Sequence, residues 1–362
     1  MKRKSNDEFE IKKEISFKIK YLYLFLTIGM VMYHARWLYD FNINYYSNFD
    51  RECLSFYFKF AEHIGTVCMV FFFFMSGFWF YRKINSIKDL LTKWKKRIFT
   101  LLIPFLLWSL ILAIYKVCNN QITIGFDNLF YYLFETPVAG PLWYILALLI
   151  LQLFSPLVVS LKNNKKMLTI IFVGLIIYIY LRYFEIIPHI LSFKNWWWYD
   201  NMIMYTPIYL IGSYIGIYYP HILLENEYNS KKDTYIGIIL LVLSFIGWHY
   251  FVINPYNLST IYALIELIGI WLLLKSFWFK KDIPKILNCN FYIFALHNPV
   301  LIPRTRELIV GILKNGTVSG LEVIYIKINQ IIAIVLICVI IKLLANQIFS
   351  SKVNYYLTGG RQ

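Results

Sequence analysis

A membrane-length apolar run recurs ten times along this chain, and that recurrence leaves little choice of architecture. The runs cover about 21–39, 60–81, 98–117, 141–159, 167–184, 202–219, 234–253, 258–279, 286–303 and 323–345. A helix of ~20 residues crosses the ~30 Å hydrocarbon layer. Lipid offers the backbone no hydrogen-bond partners, so continuous runs of this length predict helices, whereas a barrel would show short alternating segments. The expected fold is an all-α, polytopic integral membrane protein with about ten transmembrane helices. The ninth run is the most interrupted, by Asn288, Asn290, His297, Asn298 and Pro299. Composition agrees: with 59% hydrophobic and only 15% charged residues, the 362-residue chain holds more apolar surface than a water-soluble core of that size can bury.

Charge sets the expected orientation, because Lys and Arg accumulate in cytoplasmic loops. The densest basic stretches are Lys2 to Lys20 and Arg82 to Arg97. An even number of spans then places both termini in the cytoplasm, with a tail over 1–20, a ten-helix membrane domain over 21–346 and a second tail over 347–362. The net charge of +16 follows from this rule and from attraction to anionic headgroups. Nucleic-acid binding is a poor reading of it, since no stacking or groove-reading motif accompanies it. No small-residue cleavage site follows the first apolar run, so that helix is expected to be retained. Cys53, Cys68, Cys118, Cys289 and Cys338 are scattered and odd in number; neither a disulfide framework nor a metal site is expected. No internal repeat is visible.

Titratable groups inside apolar runs are costly and mark candidate sites. His34 lies in the first run, with Tyr23 and Thr27 on its helical face and Arg36 elsewhere near the outer end. Glu62 and His63 open the second run. If the first two helices are antiparallel neighbours, both lie at a depth similar to His34, where a carboxylate would hold the imidazole tautomer and raise its basicity. His297 is a second intramembrane imidazole, and Pro299 frees backbone groups near it. In the block FFFFMSGFWF, Ser76 and Gly77 are small enough to admit a neighbouring backbone; a lipid-facing aromatic stripe is the plainer reading. Arg82, Lys83, Lys95, Lys96 and Arg97 follow, suited to phosphates or serving only orientation. Trp196, Trp197 and Trp198 suit either sugar stacking or the interfacial aromatic belt.

Taken in order, six segments resemble membrane-bound acyltransferase family 3, ten-helix bacterial enzymes that acylate cell-surface sugars. They are VMYHAR, FFFFMSGFWF, KKRIFTLLIPFLLW, GPLWYILALL, IYLIGSYIG and FYIFALHNPVL. The resemblance is greatest to short, single-domain members that modify surface polysaccharides. It departs at Tyr23, where the family often has an Arg eleven residues before the helix-one His, and near Thr100, where another Arg is frequent ahead of the helix-three Pro.

The resemblance implies transfer of an acyl group, usually acetyl, from cytoplasmic acyl-CoA to a hydroxyl of a cell-surface or lipid-linked glycan, at a bacterial inner membrane. From Tyr21 to His34 is about 14 residues, or ~20 Å of helix, a depth that an extended acyl-CoA arm suits. His34 is then the expected base, with Glu62, His63 and His297 as further catalytic candidates. Arg82, Lys83, Lys95, Lys96, Arg97, Ser76 and Gly77 are candidates for the donor site. A covalent acyl-imidazole is an alternative route. Two other readings stand beside the enzyme: a transporter or flippase of lipid-linked saccharide, and an inactive scaffold in polysaccharide synthesis.

Overall fold

The computed structural model describes residues 2–37, 47–123, 125, 128, 130–135, 137, 138, 140–183, 186, 197–224, 230–251, 255–276, 282, 284, 287–313 and 319–360. Among these the chain is helical and contains no strand. α1 runs Lys2–His34 and α2 Asn48–Tyr81. α3 (Ile87–Arg97) continues through a π-turn at Ile98–Leu102 into α4 (Ile103–Cys118). Then follow α5 (Trp143–Leu153), α6 (Ser155–Leu161), α7 (Lys165–Tyr183), α8 (Trp197–Tyr218), the single turn α9 (His221–Leu224), α10 (Ser230–Phe251) and α11 (Pro255–Ser276). α12 (Asn290–Leu296) passes through a π-turn at His297–Leu301 into α13 (Ile302–Leu313), and α14 (Gly320–Ile348) and α15 (Ser351–Thr358) close the chain.

Among the described residues, five helical stretches are long and apolar enough to cross a membrane: Glu14–His34, Asn48–Tyr81, Ile87–Cys118, Ser259–Ser276 and Gly320–Ile348. Gly140–Leu153 with Ser155–Leu161, bent by 42°, makes a sixth if the pair is one broken span. α1 and α2 start well before their apolar windows, while α1 ends at His34, short of the expected 39. α1 begins at Lys2 and α2 at Asn48 because Glu, Lys and Arg are good helix formers, which a search for apolar runs passes over. Residues 347–362, expected as a tail, contain α15.

The chain divides into two compact units, each assembled from three segments: 1–21, 69–98 and 144–283 in the first, and 22–68, 99–143 and 284–362 in the second.

In the first unit, α2 and α8 meet backbone to backbone. A β-carbon added at Gly216 would stand 2.6 Å from the Phe78 carbonyl oxygen, and one at Gly77 or Gly212 would collide with the carbonyl of Tyr209 or Phe74. Small residues at such a crossing let the helices approach, which is how packing holds helices together where water cannot drive them. α10 and α11 pair in the same way through Gly237 and Gly269. Lys18, fully buried, reaches the Glu14 carboxylate at 2.9 Å and donates to the Lys275 carbonyl at 3.3 Å, so the buried charge is compensated.

In the second unit, Gly29 and Gly65 bring α1 against α2, with the ring of Tyr33 lying where a side chain at Gly65 would be. Ser319 and Glu322 form a capping box at the start of α14, and the Gly320 N–H donates to Asp50 Oδ1 at 2.7 Å, tying α14 to the first turn of α2. Pro104, in the first turn of α4, has no N–H to offer the Thr100 carbonyl, and the ladder there loosens into the π-turn. Gly359 closes against that carbonyl, while Trp108 Nε1 donates to the Leu357 carbonyl at 2.9 Å, docking α15 on α4.

Candidate functional site

The second unit brings together two of the four catalytic candidates. The rings of His34, on the last residue of α1, and His297, on the first residue of the π-turn after α12, have centroids 5.1 Å apart. The local sequence explains the turn. Pro299 and Pro303 each lack a donor, so the regular helical ladder cannot run through this segment, and a π-turn results. His297 is fully buried, and its Nδ1 lies 2.7 Å from the Ile293 carbonyl oxygen one turn back. A carbonyl only accepts, so Nδ1 carries the proton and Nε2 is left with its lone pair. Nε2 is buried and has no hydrogen-bond partner among the described residues. The result is an imidazole of fixed tautomer, presenting an unsatisfied acceptor beside a second imidazole.

His34 is half-buried and packs edge-on against Tyr33, with ring centroids 4.8 Å apart. Glu62, expected to orient the imidazole, instead approaches Arg36: its Oε1 lies 3.9 Å from Arg36 Nη2. Arg36 itself is buried and donates from Nη1 to the Tyr33 carbonyl at 2.7 Å. Its guanidinium carbon sits 3.9 Å from the Tyr33 ring centroid, 4.3 Å from that of Trp37 and 5.3 Å from that of Phe58. His63 is buried on α2. The sequence reading missed the position of Arg36 because it extended helical spacing past His34, whereas the helix ends there and the chain turns, folding the guanidinium back over Tyr33.

The first unit holds the candidate donor groups. Tyr144 donates its hydroxyl proton to the Phe72 carbonyl at 2.8 Å, so at 2.6 Å Ser76 is the donor to the Tyr144 oxygen. Tyr144 belongs to the GPLWY motif but was not singled out, since nothing in either segment announces the pairing. Gly77 is consumed by the crossing with α8. Among the basic residues, Lys83, Lys95 and Lys96 are exposed, while Arg82 lies over Trp79 and Arg97 over Phe80, at 5.2 and 5.7 Å from the ring centroids. Lys93 and Lys162 have a different task. Lys93 donates to the carbonyls of Trp79 and Phe80, in the last turn of α2, and Lys162 to that of Ile84 just beyond it at 3.0 Å. Of the three tryptophans considered for sugar stacking, Trp198 is fully buried in this unit, Trp197 is the first residue of α8, and Trp196 lies outside the described residues.

Apolar helices of membrane length carrying a half-buried imidazole against a fully buried one define a helical membrane protein with a candidate acid–base centre. The family model described as an acyltransferase domain matches residues 18–347, and the chain belongs to that family, acyltransferase family 3. Its kind of reaction is therefore acyl transfer. No curated protein and no solved structure matches the chain.

Proposed function

We propose that this protein transfers an acyl group, acetyl by family preference, from acyl-CoA to a hydroxyl of a cell-surface or lipid-linked glycan at a bacterial inner membrane, with His34 as base. The observation that carries the reading is the pairing of His34 with His297, whose tautomer is held by the Ile293 carbonyl. The acceptor oxygen attacks the thioester carbonyl carbon as His34 takes its proton. The carbon–sulfur bond then breaks, and the thiolate of CoA recovers that proton from the imidazolium. His297 Nε2 is a fixed acceptor beside the ring that becomes charged, which favours the imidazolium as it forms.

The topology proposed for this chemistry has ten spans with both termini cytoplasmic. The six candidates above are joined by α7, α8 and α10, of 19, 22 and 22 residues, and by the broken segment α12–α13. Lys83, Lys95 and Lys96 then face the cytoplasm, where acyl-CoA is found, and bind its phosphates.

Mass spectrometry of surface glycan from a strain carrying only His34→Ala tests the proposal. The polymer should persist without its acyl esters. Unchanged esters would remove His34 from the mechanism, and loss of the polymer itself would point to transport.

A further inference from the structure

A cavity of about 300 Å³ lies in the second unit where the end of α4, Pro137, Val138 and the residues after His297 converge; Tyr115, Lys116, Gln121, Gly140, Asn298 and Arg304 contribute to its walls. We propose that this cavity binds an acidic sugar residue of the acceptor, with the carboxylate or phosphate of that residue on Lys116. The inference rests on the glycan-acceptor reading above and names the class of glycan.

The two cations of the cavity differ. Arg304 is committed to the fold: Nε donates to the Tyr115 hydroxyl at 2.9 Å, Nη1 to Glu307 Oε2 at 3.0 Å, and Nη2 to Asn119 Oδ1. Glu307, also on the wall, balances its charge. Lys116 is half-buried on α4, and no carboxylate among the described residues pairs with it. One uncompensated positive charge in a partly desolvated recess favours an anion, through hydrogen bonds about twice as strong as neutral ones. Around it the chemistry is neutral and suited to hydroxyls. Gln121 and Asn298 each offer an amide with donors and an acceptor, and Tyr115 supplies an aromatic wall. The volume is at the small end for a ligand pocket, suited to a single sugar ring. Asn298, on the wall, directly follows His297 in the sequence.

The test uses the full-length protein in phosphatidylcholine nanodiscs, with glucuronate, glucose 6-phosphate and glucose as probes followed by saturation-transfer NMR. These sugars differ only in what C6 carries. The acidic probes should bind roughly tenfold more tightly than glucose. Lys116→Gln should erase that preference while binding glucose as the wild type does, which reports that it folds, and Lys116→Arg should keep the preference. Whichever acid binds more tightly identifies the anion. Glucose binding as well as the acids, or a preference surviving Lys116→Gln, overturns the inference. His34→Ala should retain the sugar preference and lose transfer. A wild-type protein that binds the acids yet acylates no acidic glycan would overturn the acceptor reading beneath the inference, with Lys116 still an anion site.

Discussion

Arg36 Nη2 lies 3.9 Å from Glu62 Oε1, and the same guanidinium donates to the carbonyl of Tyr33, the residue before His34. The pair therefore fixes the end of α1 against α2 at the point from which the candidate base projects. Arg36→Ala removes a buried cation held by three aromatic rings and a carboxylate, and should cost about 2–4 kcal/mol of stability. Lysine should not restore the fold, because it lacks the flat guanidinium that stacks and forks at once. Glu62→Gln should cost at most ~1 kcal/mol, since the carboxylate is half-exposed. Thermal midpoints of the purified variants separate the three. If Arg36→Lys matched the wild type, stacking would have no part in holding this end of α1.

His297 is expected to matter through Nε2, which the bond from Nδ1 to the Ile293 carbonyl leaves as an acceptor. His297→Ala should lower kcat by about 10²–10⁴-fold with a smaller change in either KM, as expected when an acid–base group is lost. The His34→Ala, His297→Ala double variant should be little worse than His34→Ala alone, because two rings in contact that serve one proton transfer act as a unit. Labelled acyl-CoA turnover by purified protein measures all three. Multiplicative losses would show that the imidazoles work independently.

Part of this was legible in the sequence for a physical reason. An imidazole inside an apolar run is expensive, so His34 and His297 stand out from one dimension, as do the runs that become helices. Arg36 did not stand out as a buried residue, because helical spacing holds only within a helix and α1 ends at His34. The partnership of Ser76 with Tyr144 was hidden by the 68 positions between them. The lengths of α1 and α2 were underestimated, since charged residues extend a helix as readily as apolar ones. The division of the chain into two interleaved units left no trace in the sequence, where no linker or shift of composition marks the joins.

Glycines give a test of packing with an internal control. Gly212 and Gly77 sit where an added β-carbon meets a carbonyl of the facing helix, whereas among the described residues nothing lies within 4 Å of one added at Gly174 in α7. Gly212→Ala and Gly77→Ala should each force α2 and α8 apart and cost about 1–3 kcal/mol. Gly174→Ala should gain up to ~1 kcal/mol from helix propensity alone. Thermal unfolding in detergent reads both signs. A neutral Gly212→Ala would contradict the close crossing.

The lysines after α2 divide into those that hold the fold and those free to hold a ligand, and charge reversal should tell them apart. Lys93 closes the carbonyls of Trp79 and Phe80, so Lys93→Glu should lower the thermal midpoint and the yield of folded protein. Lys95 and Lys96 are exposed on the same helix, and Lys95→Glu with Lys96→Glu should leave the stability within about 0.5 kcal/mol of wild type. If these lysines bind the phosphates of acyl-CoA, the double reversal should raise the donor KM by roughly tenfold while the acceptor KM and kcat change little. Added salt should shrink the difference between the wild type and the variant, because exposed charges are screened over ~10 Å at 0.1 M. An unchanged donor KM at low salt would leave these lysines the orienting role that basic cytoplasmic loops have without any ligand.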